Sequence, residues 1–222
     1  IKLAREVGVD KIVANVEKMG ITTLVDSGAY SDVNLAMALG GLSKGVNPLE
    51  MASAYGVLAT NGLYNKPIAL LKIVDRDGKV LYQAKPQSKR VVDAASAYLT
   101  TNMLEDVLVS GTGGGMGIGR PAAGKTGTTD TYIDAWFVGY TPDLSTAVWV
   151  GDDNNKPMQR MYGSGAPLSI WHEFMINALA STPRTGFSNP GVAVPAEPEI
   201  KQEEEDKDEE KDAKDAKVDD KK

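Results

Sequence analysis

Residues 122–129, with the sequence Ala-Ala-Gly-Lys-Thr-Gly-Thr-Thr, are the part of the chain whose residue types are best suited to chemistry. A lysine lies between two glycines and is followed by hydroxyl residues, and strand-like residues come soon afterwards. Ammonium, hydroxyl and backbone N–H groups are the donors that hold a small anionic group. Two different sites use such a segment: a phosphate-binding loop, and the edge strand of a serine acyl-transferase.

The phosphate-loop interpretation rests on residues 119–126, which satisfy the letters of the pattern G-x-x-x-x-G-K-[ST]. Such a loop works because it joins a buried strand to a helix N-terminus, whose N–H groups then surround the phosphate oxygens. Here a glycine-rich segment precedes the lysine, and a glycine with β-branched residues comes after it where a helix has to begin. The missing strand-to-helix context argues against a nucleotide site.

The strand interpretation explains the same residues better. In a regular strand, Lys125 and Gly127 lie on one face, and Thr126 and Thr128 lie on the other. An edge strand can pair with an extended peptide through its backbone, and Gly127 removes a side chain where a ligand must come close. Lys125 supplies positive potential for a carboxylate, the threonine hydroxyls can donate to it, and a strand N–H can stabilise a developing oxyanion.

Helix signals dominate the first part of the chain. Residues 1–20 have helical spacing of apolar side chains with breaks at glycines, and residues 21–46 form a long Gly/Ser-rich connection. Asn47 is predicted to cap a helix over residues 48–59, with Glu50 reaching back to the cap as in a capping box. The helix is expected to stop at the Asn-Gly pair of residues 61–62.

Hairpins and two further helices are predicted around the lysine segment. Residues 68–74 and 79–82 form one hairpin, and residues 135–140 and 145–150 form another, whose apolar content predicts central strands covered on both faces. Asp93 caps a helix to about residue 109, and a helix from Pro167 covers one sheet face.

The glycine-rich residues 110–119 form a mobile loop, either a gate over the site or a plain connector. The fold class is therefore α/β, of the α+β kind: an antiparallel β-sheet flanked by helices.

Composition excludes several classes of protein. The chain has 222 residues and a net charge of -6, but 13 of its 30 acidic and 7 of its 24 basic residues lie in residues 196–222, which leaves 17 of each elsewhere. The neutral remainder has no basic face for nucleic acid. There is no cysteine, the single His172 is interpreted as a packing or surface residue, and residues 152–155 as a turn. No metal and no cofactor are predicted.

Residues 1–180 are predicted to form the folded part. After residue 181, prolines, glycines and runs of charged residues cannot bury enough apolar surface to offset the entropy of an ordered chain. Residues 181–222 are therefore predicted to be a disordered acidic tail.

The segment Lys125-Thr126-Gly127-Thr128 resembles the K-T-G motif of penicillin-binding proteins and serine β-lactamases. The likeness continues along the chain, and the strand pair around Trp-Phe-Val-Gly-Tyr-Thr-Pro is similar to that of the bifunctional class A penicillin-binding proteins in particular. It covers roughly residues 1–180, the C-terminal part of a transpeptidase domain. The segments that carry it besides the K-T-G motif are residues 39–41, 47–52, 110–113, 134–142 and 149–151.

This resemblance implies a β-lactamase/transpeptidase-like fold and a D,D-transpeptidase that cross-links peptidoglycan. A serine attacks the stem peptide ending in D-Ala-D-Ala, and β-lactams acylate the same serine. Lys125 would assist proton transfer, and the Thr128 N–H would form half of the oxyanion hole, which makes these two the catalytic residues. Thr126, Gly127, Thr128 and Thr129 would bind substrate. The implied partners are peptidoglycan stem peptides and β-lactams, and the implied location is the extracytoplasmic face of the bacterial cell membrane.

The chain departs from the family pattern in one respect. No serine is followed by lysine at the S-x-x-K spacing, and residues 31–34 have one residue too many for S-x-N. Residues 1–4 resemble the segment directly after S-x-N in the family. Both motifs, a glycosyltransferase domain and any membrane anchor are therefore expected upstream, and this chain alone is predicted to be inactive. The alternatives are a serine β-lactamase or D,D-carboxypeptidase relative, and a non-catalytic interaction module that uses the sheet edge.

Overall fold

The computed structural model describes residues 1–195 and consists of helices packed on a small antiparallel sheet. The helices are α1 (Lys2–Val7), α2 (Val9–Lys18), α3 (Pro48–Ala59), α4 (Ala94–Val109) and α5 (Ala166–Ala178), with a 3₁₀ turn at Leu35–Leu39. The strands are β1 (Leu63–Asn65), β2 (Lys72–Val74), β3 (Val80–Gln83), β4 (Ser88–Arg90), β5 (Ala123–Thr128), β6 (Asp134–Tyr140) and β7 (Ser145–Gly151). The predicted class, antiparallel strands flanked by helices, is confirmed.

The cap of α3 forms as predicted, but the reciprocal half of the capping box does not. The Asn47 side chain accepts from the backbone N–H of Glu50 at 3.0 Å. The Glu50 carboxylate accepts instead from the backbone N–H and hydroxyl of Thr22, 28 residues earlier. A tertiary partner therefore replaces the local one, and the contact ties the start of α3 to the long connection before it.

The largest sheet has the order β5-β6-β7, with both pairs antiparallel. Lys125 lies opposite Val138, and Thr126 opposite Phe137, in a register that is regular along all of β5. The strand predicted for the lysine segment is therefore confirmed, and within residues 1–195 it is an edge strand. Of the two strands predicted to be central, β6 is central and largely buried, whereas β7 is the opposite edge and is half-buried throughout.

One face of the sheet packs against α5, as the sequence predicted. Trp171 is fully buried, its ring centroid lies 4.9 Å from that of Phe137, and its indole N–H donates to the carbonyl oxygen of Gly139 at 3.1 Å. A Cβ on Gly139 would lie 2.6 Å from the Trp171 ring, so the absent side chain admits the indole. This contact holds the sheet and the helix in one fixed arrangement.

The other face packs against α3 and α4. Its core cluster contains Leu58, Ala97, Ala123 and Tyr140. The Tyr140 hydroxyl lies 3.0 Å from the hydroxyl of Thr101 in α4, and both residues are buried. Burial raises the pKa of Tyr140, so the phenol stays protonated and can serve as a donor. The first residue of β5 is thereby fixed in the core, while its later residues approach the surface.

The predicted hairpin at residues 68–82 is present as β2 and β3, which are shorter than expected. A β-bulge lies between Ile73 and Val74, and side chains of both strands are exposed. The sequence did not predict the pairing of β1 with β4, which closes the base of this hairpin.

The folded part extends beyond the predicted boundary at residue 180. The Arg120 guanidinium donates to the carbonyl oxygens of Leu179, Thr182 and Pro183. Phe187 then packs edge-on against Tyr140, with ring centroids 5.6 Å apart. The compact unit accordingly ends at Val192, and the prediction of a tail from residue 181 was wrong for these residues. Its acidic part, residues 196–222, lies outside the described residues.

No helix within residues 1–195 is long and apolar enough to span a bilayer.

Candidate active site

Strand β5 brings the predicted site residues to one edge of the sheet. It pairs with β6 on one side only, so among the described residues its other backbone edge is open to an extended peptide. Lys125 is exposed, and its ammonium donates to the carbonyl oxygen of Thr126 at 2.8 Å. That bond uses one of three ammonium protons, which leaves two for a ligand.

Thr126 has a partner that sequence reasoning missed. Its hydroxyl oxygen lies 2.8 Å from the hydroxyl oxygen of Thr112, in the glycine-rich loop. The loop therefore lies beside the β5 hydroxyls. The sequence offered one signal, a threonine between glycines in residues 110–113, but no periodicity connects this loop to a strand that starts ten residues later.

Thr128 also has a partner from a distant segment. Its hydroxyl oxygen accepts from the backbone N–H of Gly163 at 3.0 Å. Gly163 is buried, and a Cβ on it would lie 2.3 Å from the Trp136 carbonyl oxygen and 2.6 Å from that of Gly127. The segment before α5 can therefore cross the sheet at Gly127 only because residue 163 has no side chain.

Thr129 has a structural task in the turn after β5. Its hydroxyl oxygen accepts from the backbone N–H groups of Ile133 and Asp134, both at 3.0 Å. These two bonds, four and five residues along the chain, close the connection to β6. The hydroxyl proton is left for another acceptor, and the predicted contact between Thr129 and substrate stays a prediction.

Two tyrosines connect that turn to the segment before α5. The hydroxyls of Tyr132 and Tyr162 are 3.0 Å apart, and the rings meet edge to face with centroids 5.2 Å apart. The hydrogen bond to Tyr162 raises the pKa of Tyr132, and the Tyr132 carbonyl oxygen accepts from the N–H of Met158. Three contacts therefore connect the segment before α5 to the Thr128 end of β5 and the turn after it. They are the pair of tyrosine hydroxyls, the bond from Met158 to Tyr132, and the bond from Gly163 to Thr128.

The arrangement can bind a carboxylate-bearing extended chain. Four residues of β5 supply one exposed ammonium on one face of the strand, two threonine hydroxyls on the other face, and a backbone edge that is unpaired among residues 1–195. Within residues 1–195, no group of three or more His, Cys, Asp or Glu side chains is placed to hold a metal ion. No S-x-x-K sequence occurs in the 222 residues, so the site holds anion donors without that nucleophile.

Comparison with known proteins gives a consistent answer. The sequence model of the family described as "Penicillin binding protein transpeptidase domain" matches residues 1–175. Penicillin-binding protein 1A of Clostridium botulinum (strain Langeland / NCTC 10281 / Type F) is 37% identical over 198 residues, which cover 88% of this chain and 24% of that protein. Penicillin-binding protein 1B of Escherichia coli (strain K12) is 41% identical over 145 residues, which cover 64% and 17%. The chain thus spans about a quarter or less of these relatives' length.

A solved structure agrees with these sequences. The PonA1 protein of Mycobacterium tuberculosis in complex with penicillin V has a TM-score of 0.72 and 33% identity, covering 84% of this chain and 55% of that one. The β-lactamase/transpeptidase-like fold expected from the sequence is thereby confirmed.

Proposed function

Because the chain belongs to the penicillin-binding protein transpeptidase family, we propose that it forms the carboxylate-binding wall of a serine D,D-transpeptidase site that cross-links peptidoglycan. The observation that carries this proposal is the set of donors on β5: the exposed Lys125 ammonium and the Thr126 and Thr128 hydroxyls belong to one short strand whose outer edge is unpaired among residues 1–195. A stem peptide ending in D-Ala-D-Ala is an extended chain with a terminal carboxylate, and both features suit this edge. The carboxylate of a β-lactam is bound in the same way.

The residues of β5 have distinct roles in this proposal. Thr126 and Thr128 donate hydroxyl protons to the carboxylate, and Lys125 provides potential and hydrogen bonding for proton transfer to and from the nucleophile. The Thr128 N–H donates to the oxyanion that forms when the serine attacks. Gly127 leaves room for the peptide backbone, and Thr129 contacts the substrate beyond it.

The nucleophile is supplied from outside these 222 residues. One helical turn must place a lysine beside the serine to activate it, and no serine here has lysine three residues later. The chain alone therefore has no activity, and incubation with a fluorescent penicillin gives no covalent adduct. A covalent adduct on this chain would disprove that statement while leaving the carboxylate wall intact. The complete protein acts at the extracytoplasmic face of the cell membrane, where its substrate lies.

The carboxylate wall is tested with the full-length protein encoded by the gene that contains this sequence. The measurement is the second-order rate of acylation by benzylpenicillin and by its carboxamide. Charged hydrogen bonds contribute about 1.5–3 kcal/mol each, so the acid reacts roughly ten- to a hundredfold faster than the amide. Thr126→Val lowers this ratio, whereas Lys72→Met, which removes an exposed lysine from β2, does not. Equal ratios in all three proteins contradict the proposal.

A further inference from the structure

Thr112 is held at a defined place beside β5 rather than on a free loop. Gly111 donates its N–H to the carbonyl oxygen of Asp106, and Gly113 donates to that of Val107. A Cβ on Gly111 would lie 2.8 Å from the Val107 Cα, and one on Gly113 would lie 3.2 Å from the Val107 carbonyl oxygen. The two glycines thus let the loop fold tightly onto the end of α4, with Thr112 between them.

The hydroxyls of Thr112 and Thr126 can donate to a bound carboxylate in only one hydrogen-bonding order when Thr126 is the residue that contacts the carboxylate. A hydroxyl has one proton and two lone pairs. If Thr126 donates its only hydroxyl proton to a substrate carboxylate, it has no proton left for the 2.8 Å bond to Thr112. Thr126 must then be the acceptor in that bond, and Thr112 the donor. The order is then Thr112 to Thr126 to carboxylate, and each bond in such a chain polarises and strengthens the next.

The neighbouring threonine has the same arrangement with a donor whose direction is fixed. The Gly163 N–H can only donate, so Thr128 is the acceptor in that bond and its own proton is directed elsewhere. Both hydroxyls of β5 therefore have a hydrogen-bonding partner from outside the strand. The Thr128 hydroxyl accepts from Gly163 and has its proton free to donate to an anionic ligand. The Thr126 hydroxyl can be arranged in the same way, accepting from Thr112 and donating to the ligand.

We propose that Thr112 is a positioning residue of the carboxylate site: its hydroxyl donates to Thr126 and aligns the Thr126 proton with the substrate carboxylate. This inference rests on the proposed function, since it requires a carboxylate at Thr126. It adds a residue outside the Lys-Thr-Gly segment, and it gives the glycine-rich loop a task in recognition.

The test compares Thr112→Val, which keeps the shape and removes the hydroxyl, with Thr112→Ser, which keeps the hydroxyl. The readout is the acid-to-amide ratio of acylation rates in the full-length protein. Loss of one net hydrogen bond lowers the ratio about three- to tenfold in Thr112→Val, and Thr112→Ser retains it. Thr100→Val is the matched control, because among residues 1–195 its hydroxyl bonds only to the Ser96 carbonyl oxygen in α4.

A merely structural role gives a different result. If Thr112→Val slows acylation by acid and amide equally, or leaves the ratio unchanged, Thr112 does not position the carboxylate donor. A Thr126→Val background completes a double-mutant cycle, in which Thr112→Val has no further effect on the ratio if the two hydroxyls act in series. If Thr126→Val itself leaves the ratio unchanged, the proposed function fails. If Thr126→Val lowers it and Thr112→Val does not, only the inference about Thr112 fails.

Discussion

The backbone N–H of Gly163 donates to the hydroxyl oxygen of Thr128 at 3.0 Å, across 35 residues of sequence. The bond joins the segment before α5 to the last residue of β5. It orients the Thr128 hydroxyl, and it requires a backbone approach so close that a Cβ on Gly163 would lie 2.3 Å from the Trp136 carbonyl oxygen. Gly163 therefore orients the hydroxyl of Thr128, which is a substrate-binding residue in the proposed function.

Gly163→Ala is expected to destabilise the protein and to displace this segment. The clash is with backbone atoms of β5 and β6, which cannot move aside as a flexible side chain can, so overpacking costs about 1–3 kcal/mol. The free energy of unfolding, measured by urea denaturation, gives this cost. The acid-to-amide ratio of acylation falls as well, because Thr128 loses its orienting donor.

Gly186→Ala is the matched control for that substitution. A Cβ on Gly186 meets no heavy atom of residues 1–195 within 4 Å, so this variant has the same added methyl group without the clash. Its stability and its acylation ratio are expected to equal those of the wild type. Equal stability of the Gly163→Ala and Gly186→Ala variants would show that the backbone approach at residue 163 is not close.

Local chemistry explains why the lysine segment could be predicted and its partners could not. The flanks of Lys125 exclude a strand-to-helix loop, and the apolar hairpin after it requires a neighbouring strand. The contacts of Thr126 and Thr128 reach across 14 and 35 residues. Such contacts depend on how loops pack on the sheet, and a single sequence has no periodicity that records this packing.

Competition between local and distant partners explains the other differences. Glu50 has the spacing of a capping box, but two threonine hydroxyls of the preceding connection attract its carboxylate away from the cap. The composition of residues 181–188 is typical of a disordered segment, yet Phe187 finds an aromatic partner in Tyr140 and Arg120 satisfies three backbone carbonyls. In both cases, side chains at distant positions in the sequence determine the outcome.

Trp171→Ala is expected to separate α5 from the sheet and to cost about 3–5 kcal/mol of unfolding free energy. The indole is fully buried, and its removal leaves a cavity beside Phe137 and takes away the hydrogen bond from the indole N–H to the Gly139 carbonyl oxygen. Urea denaturation measures the loss. Phe174→Ala removes an aromatic side chain from the same helix that is 49% exposed, so its cost is expected to be much smaller. If the alanine variant of Trp171 does not fold, Trp171→Phe gives a smaller loss that is measurable.

Tyr140→Phe is expected to cost more than the lost hydrogen bond, because it leaves the buried Thr101 hydroxyl without its Tyr140 partner. The cost is about 1–3 kcal/mol. The double variant Tyr140→Phe/Thr101→Val replaces both polar groups by apolar ones and recovers part of this loss. Thermal or urea denaturation of the two single variants and the double variant checks the prediction, which additive losses would contradict.

Asp32 is expected to make the stability of the chain depend on pH in the acid range. Its buried carboxylate accepts from the backbone N–H groups of Val25 at 2.8 Å and Ser43 at 2.7 Å. The bond from Val25, opposed by burial and supported by Ser43, lowers the pKa of Asp32 below its ordinary value of 3.8. A depressed pKa in the folded state means that the carboxylate contributes stability above the unfolded value, and that this stability is lost as pH falls from about 4 through the folded value.

The variant Asp32→Asn separates this contribution from other acid effects. It has a single acceptor oxygen for two N–H donors, so at neutral pH it is less stable than the wild type by about 1–3 kcal/mol. Below pH 4 the wild type loses stability faster than the variant, and the two unfolding free energies converge. Urea denaturation at pH 7, 4 and 3 checks this, with Asp26→Asn, an exposed neighbour, as the control. A constant difference between wild type and Asp32→Asn from pH 7 to pH 3 would rule out the proposed role of the Asp32 carboxylate.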